Sequence, residues 1–150
     1  MRRHRRGFTL IEVLITIILM GLLFAIASSM LFGVVEGRRV DSATNQIAAD
    51  LRLAHSSATN RLEDWRIEMD ADTRDYRMGP DGDALSSASL PERTEFLPTS
   101  DVSAIVFEPA GGAQITGAGN IKIASDDGSP CHEIEVNSVT SRVEVTGNVC

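Results

Sequence analysis

The sequence predicts an α+β protein in which one long N-terminal helix packs on a small antiparallel β-sheet head. Three observations predict this class. A long apolar run follows a basic start, an apolar stripe of helical period continues the run, and an alternating pattern then takes over. We therefore expect a transmembrane half of the helix at 8–35, an amphipathic half at 36–62 and a β-rich head at 63–150. With 150 residues, the chain has room for one domain with a modest core.

The apolar run begins after four arginines that all lie within the first six residues. No charged side chain occurs in residues 13–35. At about 1.5 Å per residue, a helix of this length covers roughly 35 Å, which is enough to cross a bilayer. Basic residues before a spanning helix hold the N-terminus in the cytoplasm, so the rest of the chain is expected outside it.

Three interpretations fit this segment, and Glu12 distinguishes between them. The segment is a secretory signal peptide cut after Ala27, an unprocessed signal anchor, or a short leader cut after Gly7. A carboxylate in an apolar helix costs several kcal/mol unless it has a partner. A cut after Gly7 supplies that partner, because the new amino group of Phe8 lies one helical turn from Glu12. A signal peptide would discard Glu12, so the third interpretation is favoured.

The stretch from Gly7 to Leu14 reads Gly-Phe-Thr-Leu-Ile-Glu-Val-Leu and resembles the processing motif of type IV pilins and pseudopilins. The resemblance implies that residues 1–7 are a leader, which a prepilin peptidase removes by cutting after Gly7. It also implies N-methylation of Phe8 and a role for Glu12 in filament assembly. The partners that it implies are other pilins or pseudopilins, whose helices pack with residues 8–35 in the filament core.

Beyond the apolar run, apolar residues recur every three or four positions, which predicts a helix with one buried face. No proline interrupts residues 1–79, so nothing in the sequence forces a kink. We expect one helix from about Phe8 to about Arg61, whose second half docks on a sheet. The stripe consists of Val40, Ala43, Ile47, Leu51, Ala54, Ala58 and Leu62.

After the helix, apolar and polar residues alternate, which is typical of strands with one buried face. Residues 65–69 predict a first strand, and Tyr76 and Met78 begin its partner after a turn. Residues 79–103 are rich in glycine, proline, serine and aspartate, and we expect a long loop with one short strand near Phe96. Four more apolar segments complete an antiparallel meander, at residues 105–107, 121–123, 134–136 and 143–145.

The two cysteines of the chain, Cys131 and Cys150, do not have the spacing of a metal site. Outside the cytoplasm we expect them to form one disulfide, worth roughly 3 kcal/mol for a loop of this length. A two-residue turn at Thr140-Ser141 would pair residues whose numbers sum to 281, which places the two cysteines opposite each other. These turn residues are not the preferred Asn-Gly pair, and two free thiols are the alternative.

Charge and motifs argue against catalysis, metal binding and general nucleic-acid binding. The chain has 14 Lys and Arg against 21 Asp and Glu, and four of the arginines precede residue 7, so the body is acidic. No catalytic or cofactor motif is present, and the Asp-x-Asp runs at 70–72 and 81–83 lack the rest of a calcium loop. His55 and His132 are predicted to be structural. We expect neither an enzyme nor a bound cofactor or metal.

The head, over roughly residues 40–150, resembles the GspH/FimT group of minor pseudopilins in the segments 105–112, 120–123 and 142–145. The resemblance implies a structural subunit of a type II secretion pseudopilus. Such a subunit is anchored in the inner membrane with its head in the periplasm, and secreted protein cargo is a further partner. The alternative that it implies is a minor pilin of a type IV pilus, in pilus assembly or DNA uptake.

Some pilus-associated members of this group resemble DNA-uptake factors with a Gly-Arg-x-Arg ending. The matching stretch here is Ser-Arg-Val-Glu at residues 141–144, in which an acid replaces one arginine. Arg142 is therefore the candidate DNA contact, with Lys122 and Arg93 as the other late basic residues. The replacement argues against DNA binding.

Overall fold

The computed structural model of the chain describes residues 8–71, 73–98, 102–117 and 119–147, with the backbone alone at 29–33 and 102. The chain divides into two compact units, residues 1–35 and residues 36–150. Within the described residues, one helix precedes all the strands: α1 (Leu10–Arg61). The strands are β1 (Trp65–Met69), β2 (Asp75–Pro80), β3 (Ser86–Ser89), β4 (Thr94–Phe96), β5 (Val102–Phe107), β6 (Ala113–Gly117), β7 (Asn120–Ser125), β8 (Cys131–Val136) and β9 (Val143–Gly147).

Helix α1 is unbroken over 52 residues, as the proline-free sequence predicts. Thr9 caps its first turn, because the Thr9 hydroxyl accepts a hydrogen bond from the backbone N–H of Glu12 at 3.3 Å. The helix ends where Leu62 adopts a positive φ of 57° and donates its N–H to the carbonyl of Ala58 at 3.0 Å. The prediction that Leu62 continues the apolar stripe is therefore wrong: it is 78% exposed, because the helix ends before it.

The second half of α1 supplies one wall of the hydrophobic core. Six residues of its apolar stripe have no exposed surface: Val40, Ala43, Ile47, Leu51, Ala54 and Ala58. Three of these six are alanines, which allow the strands to approach the helix closely. The strands contribute large buried side chains to the same core, among them Phe96, Ile105, Phe107, Ile121, Ile123 and Ile134. The predicted docking of this half on a β-sheet head is confirmed.

The strands form two antiparallel sheets rather than the single meander predicted from the sequence. Sheet A has the order β3-β2-β1-β5-β6, and sheet B has the order β4-β7-β8-β9. The difference arises in the predicted loop at 79–103, where β3 adds to the edge of sheet A and β4 pairs with β7 in sheet B. Leu90 and Phe96 are 3% and 1% exposed, so this segment is anchored in the core. The predicted α+β class is confirmed.

The hairpin of β8 and β9 has a longer turn than the sequence predicts. Paired residues such as Ile134 and Val145 have numbers that sum to 279, not 281. Asn137 explains the difference, because its side-chain oxygen accepts hydrogen bonds from the N–H groups of Val139 and Thr140 at 3.0 and 2.9 Å. A change of two positions preserves the alternation of faces, so each side chain of the hairpin still points to the predicted side.

Candidate functional site

The start of α1 holds two of the residues predicted for processing and assembly. Phe8 precedes the helix and is 82% exposed, whereas Gly7 lies outside the described residues. Glu12 lies in the first helical turn. Its carboxylate forms no ion pair with any residue that the structure describes. Inside a bilayer, an unpaired carboxylate at this position would cost several kcal/mol.

The first half of α1 exposes apolar side chains on every side. The segment Leu10–Ser28 is long and apolar enough to cross a membrane, and none of it is buried within the chain. Its large apolar residues are between 47% exposed, at Val13, and 80% exposed, at Leu10. Thr16 donates its hydroxyl to the carbonyl of Glu12, so this polar group is satisfied inside the helix. A lipid bilayer or the helices of other molecules can cover such a surface.

Cys131 lies in β8 with only 2% of its surface exposed. Cys150 lies outside the described residues, so the disulfide between the two stays a prediction. The described part of the β8–β9 ladder, in which paired residues sum to 279, ends at His132 and Gly147.

Arg142, the candidate DNA contact, lies immediately before β9 and is surrounded by acids. Its Nε lies 2.9 Å from the carboxylate of Glu144, and the strand register places Glu135 opposite Glu144. Asn137 and Thr140 complete the lining of the shallow groove in which these three charged side chains meet. One guanidinium among two carboxylates leaves the groove negative, which is the wrong sign for a phosphate backbone.

The other late basic residues do not join Arg142 in a basic patch. Arg93 adopts a positive φ of 63° and contacts the carboxylates of Glu36 and Asp126 at 3.1 and 3.5 Å. Lys122 lies opposite Glu133 in the ladder of β7 and β8. Each basic side chain is thus placed beside an acid of the same head.

The short acidic runs and the histidines take part in contacts of the folded head. Asp81 lies 3.4 Å from Arg66, His132 lies 3.5 Å from Asp41, and the ring of His55 packs on Phe107. Across the described ranges, no group of three or more His, Cys, Asp or Glu side chains could hold a metal ion.

Sequence reasoning missed a polar cluster between α1 and sheet A. Tyr76 is 2% exposed, and its hydroxyl accepts a hydrogen bond from Gln46 Nε2 at 2.8 Å and donates one to the Asp50 carboxylate. Gln46 also donates to the carbonyl of Ser89 at 3.1 Å. Burial, followed by the hydrogen bond to Asp50, raises the pKa of Tyr76 to about 12. The sequence feature that could have indicated this cluster is the four-residue spacing of Gln46 and Asp50, which places both side chains along one flank of the apolar stripe.

Two protein families match the chain in succession. Residues 2–28 match the prokaryotic N-terminal methylation motif, and residues 43–140 match the type II transport protein GspH family. No curated protein matches the chain.

Two solved structures of filament subunits show the same fold. The type IV minor pilin FimU of Pseudomonas aeruginosa is 14% identical with a TM-score of 0.55, over 72% of this chain and 93% of FimU. The minor pseudopilin EpsH of the Vibrio cholerae type 2 secretion system is 10% identical with a TM-score of 0.54, over 73% of this chain and 97% of EpsH. These likenesses confirm a pilin-like fold. Because the GspH match covers well over half of the sequence, the chain belongs to the type II transport protein GspH family.

Proposed function

We propose that the chain is a minor pseudopilin, a structural subunit of the pseudopilus of a type II secretion system. The continuity of α1 carries this proposal. An exposed apolar half passes without a break into a half that is buried in the head. A removable signal peptide has no need of a helix that continues into the head, whereas a filament subunit carries its head on such a helix. Membership of the GspH family supports the same role.

The N-terminal residues then have separate roles in processing and assembly. A prepilin peptidase cuts after Gly7, and Phe8 becomes the methylated first residue. Glu12 lies one helical turn further on and neutralises the new amino group in its own chain or in a neighbouring subunit. The match of residues 2–28 to the N-terminal methylation motif supports these assignments.

The proposed location is the inner membrane, crossed once, with the head in the periplasm. The arginines before the apolar run support this orientation. Other pseudopilins are the partners in the filament, secreted protein cargo is a further partner, and the function is mechanical rather than enzymatic. An oxidising periplasm also suits a disulfide between Cys131 and Cys150.

A minor pilin of a type IV pilus is the second candidate, and the likeness to FimU favours it. DNA uptake has less support, because Arg142 shares its groove with Glu135 and Glu144. Deletion of the gene separates the two machines. Loss of secreted proteins from the medium with normal pili favours type II secretion, and loss of pili alone favours the pilus.

The N-terminus of the membrane-extracted chain tests the proposal directly. We expect mass spectrometry to find a mature chain that begins at methylated Phe8, in cells with a prepilin peptidase and not in cells without one. As a matched control, Ala27→Leu would block cleavage by an ordinary signal peptidase and should leave the mature mass unchanged apart from the substitution. A chain that begins at Ser28 would contradict the proposal, because Glu12 would have been discarded.

A further inference from the structure

Several acidic residues meet at one end of sheet A. The strand register pairs Trp65, the first residue of β1, with Pro80 at the end of β2 and with Phe107 at the end of β5. The connecting segments that precede β1 and follow β2 and β5 therefore lie side by side. A hydrogen bond from the N–H of Asp81 to the carbonyl of Asp64, at 2.8 Å, joins two of these segments. The acids in the segments are Glu63, Asp64, Asp81, Asp83 and Glu108, and all except the half-buried Glu108 are exposed.

Two exposed apolar residues accompany these acids. Leu62 immediately precedes Glu63 and is 78% exposed, and Val139 in the turn between β8 and β9 is 82% exposed. That turn lies against the turn between β5 and β6, because the Ser141 hydroxyl donates to the carbonyl of Gly111 at 2.8 Å. We call Leu62, Val139 and the five acids the acidic end of the head. Large apolar side chains among charged ones are typical of a protein contact surface.

Two adjacent arginines, Arg38 and Arg39, lie at the start of the second half of α1. Arg38 is exposed and forms no ion pair within the described residues. Arg39 is half-buried and likewise forms no ion pair with any residue that the structure describes. Two adjacent guanidinium groups without ion pairs can bind the carboxylates of another molecule. The helix rises roughly 35 Å between Arg38 and Arg61, so these arginines are remote from the acidic end.

We infer that the acidic end docks onto the arginine-bearing start of the head of a neighbouring filament subunit. The inference rests on the proposed function, since a filament is built from heterologous contacts in which two different surfaces of its subunits meet. This chain carries both complementary surfaces. Leu62 and Val139 exclude water from the contact, which strengthens its ion pairs. A lipid phosphate could accept from Arg38 and Arg39, but it would leave the acidic end without a role.

A photo-crosslinker tests the contact in the full-length chain. Leu62 is replaced by p-benzoylphenylalanine in cells that assemble the filament, and the crosslinked peptide is identified by mass spectrometry. We expect a peptide from a pilin-like subunit, in which Lys or Arg follow its apolar segment as Arg38 and Arg39 do here. The double variant Glu63→Lys, Asp83→Lys should lower the crosslinking yield roughly tenfold, because it reverses the charge of the surface.

The double variant Glu92→Lys, Glu135→Lys makes the same charge change at exposed acids elsewhere on the head and should leave the yield unchanged. Trypsin resistance of the head shows that both variants are folded. The inference is overturned if the crosslinked species is a lipid or a secreted protein, if no subunit is crosslinked, or if both double variants behave alike. If the chain is not cleaved after Gly7 or is absent from the filament fraction, the proposed function itself fails.

Discussion

The two halves of α1 are both rich in apolar residues, yet their surroundings are opposite. Leu14 and Ile18 in the first half are 51% and 68% exposed, whereas Ile47 and Leu51 in the second half have no exposed surface. The arrangement of the apolar residues explains the difference, because the first half is apolar on every side and the second half on one stripe only. The strands of the head cover the apolar stripe of the second half. No described residue covers the apolar surface of the first half, which lipid or other subunits can cover.

The polar groups of the two halves differ in the same way. In the second half, Gln46 and Asp50 find partners in sheet A through Tyr76. In the first half, the carboxylate of Glu12 has no ion-pair partner among the described residues. The polar side chains of the second half thus have partners within the head, whereas the exposed carboxylate of Glu12 has no ion-pair partner among the described residues.

The largest expected effect comes from truncating the buried stripe. Leu51→Ala should lower the free energy of unfolding of the head by about 2–5 kcal/mol, because it leaves a cavity between α1 and the sheets. Urea titration of the full chain in detergent, followed by the fluorescence of Trp65, measures this loss. Trp65 is the only tryptophan.

Leu53 provides the matched control, since it lies two residues away and is 54% exposed. Leu53→Ala should change the free energy of unfolding by no more than about 0.5 kcal/mol. Equal losses at the two positions would show that the stripe does not pack against the strands.

Periodicity predicts a feature well where one physical effect decides it, and poorly where several compete. The helix and its buried stripe follow from the 3.6-residue period alone, which fails only at Leu62, where the helix ends. The segment 79–103 has a loop composition, yet the burial of Leu90 and Phe96 draws it into two sheets. Long-range pairing of β1 with β5 has no local signal, so the division into two sheets could not be predicted.

The same limit applies to the candidate site. Glu12 stands out in the sequence because a charge in an apolar run has a known cost. The groove around Arg142 depends on which residue of β8 lies opposite Glu144, and the turn at Asn137 decides this.

An intermediate effect is expected from the unsatisfied carboxylate of the first half. Glu12→Leu should reduce the fraction of the chain found in sheared filaments roughly tenfold, because the proposed charge pair between subunits is lost while membrane insertion becomes easier. Thr16→Val is the matched control. The Thr16 hydroxyl already bonds to its own helix, so its removal should have little effect. Normal assembly of Glu12→Leu would contradict a role for this residue.

The smallest expected effect concerns the polar cluster that ties the second half of α1 to sheet A. Tyr76→Phe removes a hydrogen bond from Gln46 and one to Asp50. The loss should be about 1 kcal/mol at neutral pH, since Gln46 and Asp50 are half-buried and water can replace part of the contact. Urea midpoints read from Trp65 fluorescence measure it.

Alkaline pH separates this contact from simple packing. The pKa of Tyr76 is raised from 10.0 to about 12 in the folded chain, so its neutral form is favoured by folding. Its contribution to stability is fully present below about pH 10 and is lost as the pH rises towards 12. Stability of the native sequence should therefore fall more steeply over this range than that of Tyr76→Phe. Parallel curves of stability against pH for the two proteins would mean that the Tyr76 hydroxyl has the same pKa in the folded and unfolded chains. The cluster would then make no pH-dependent contribution to stability.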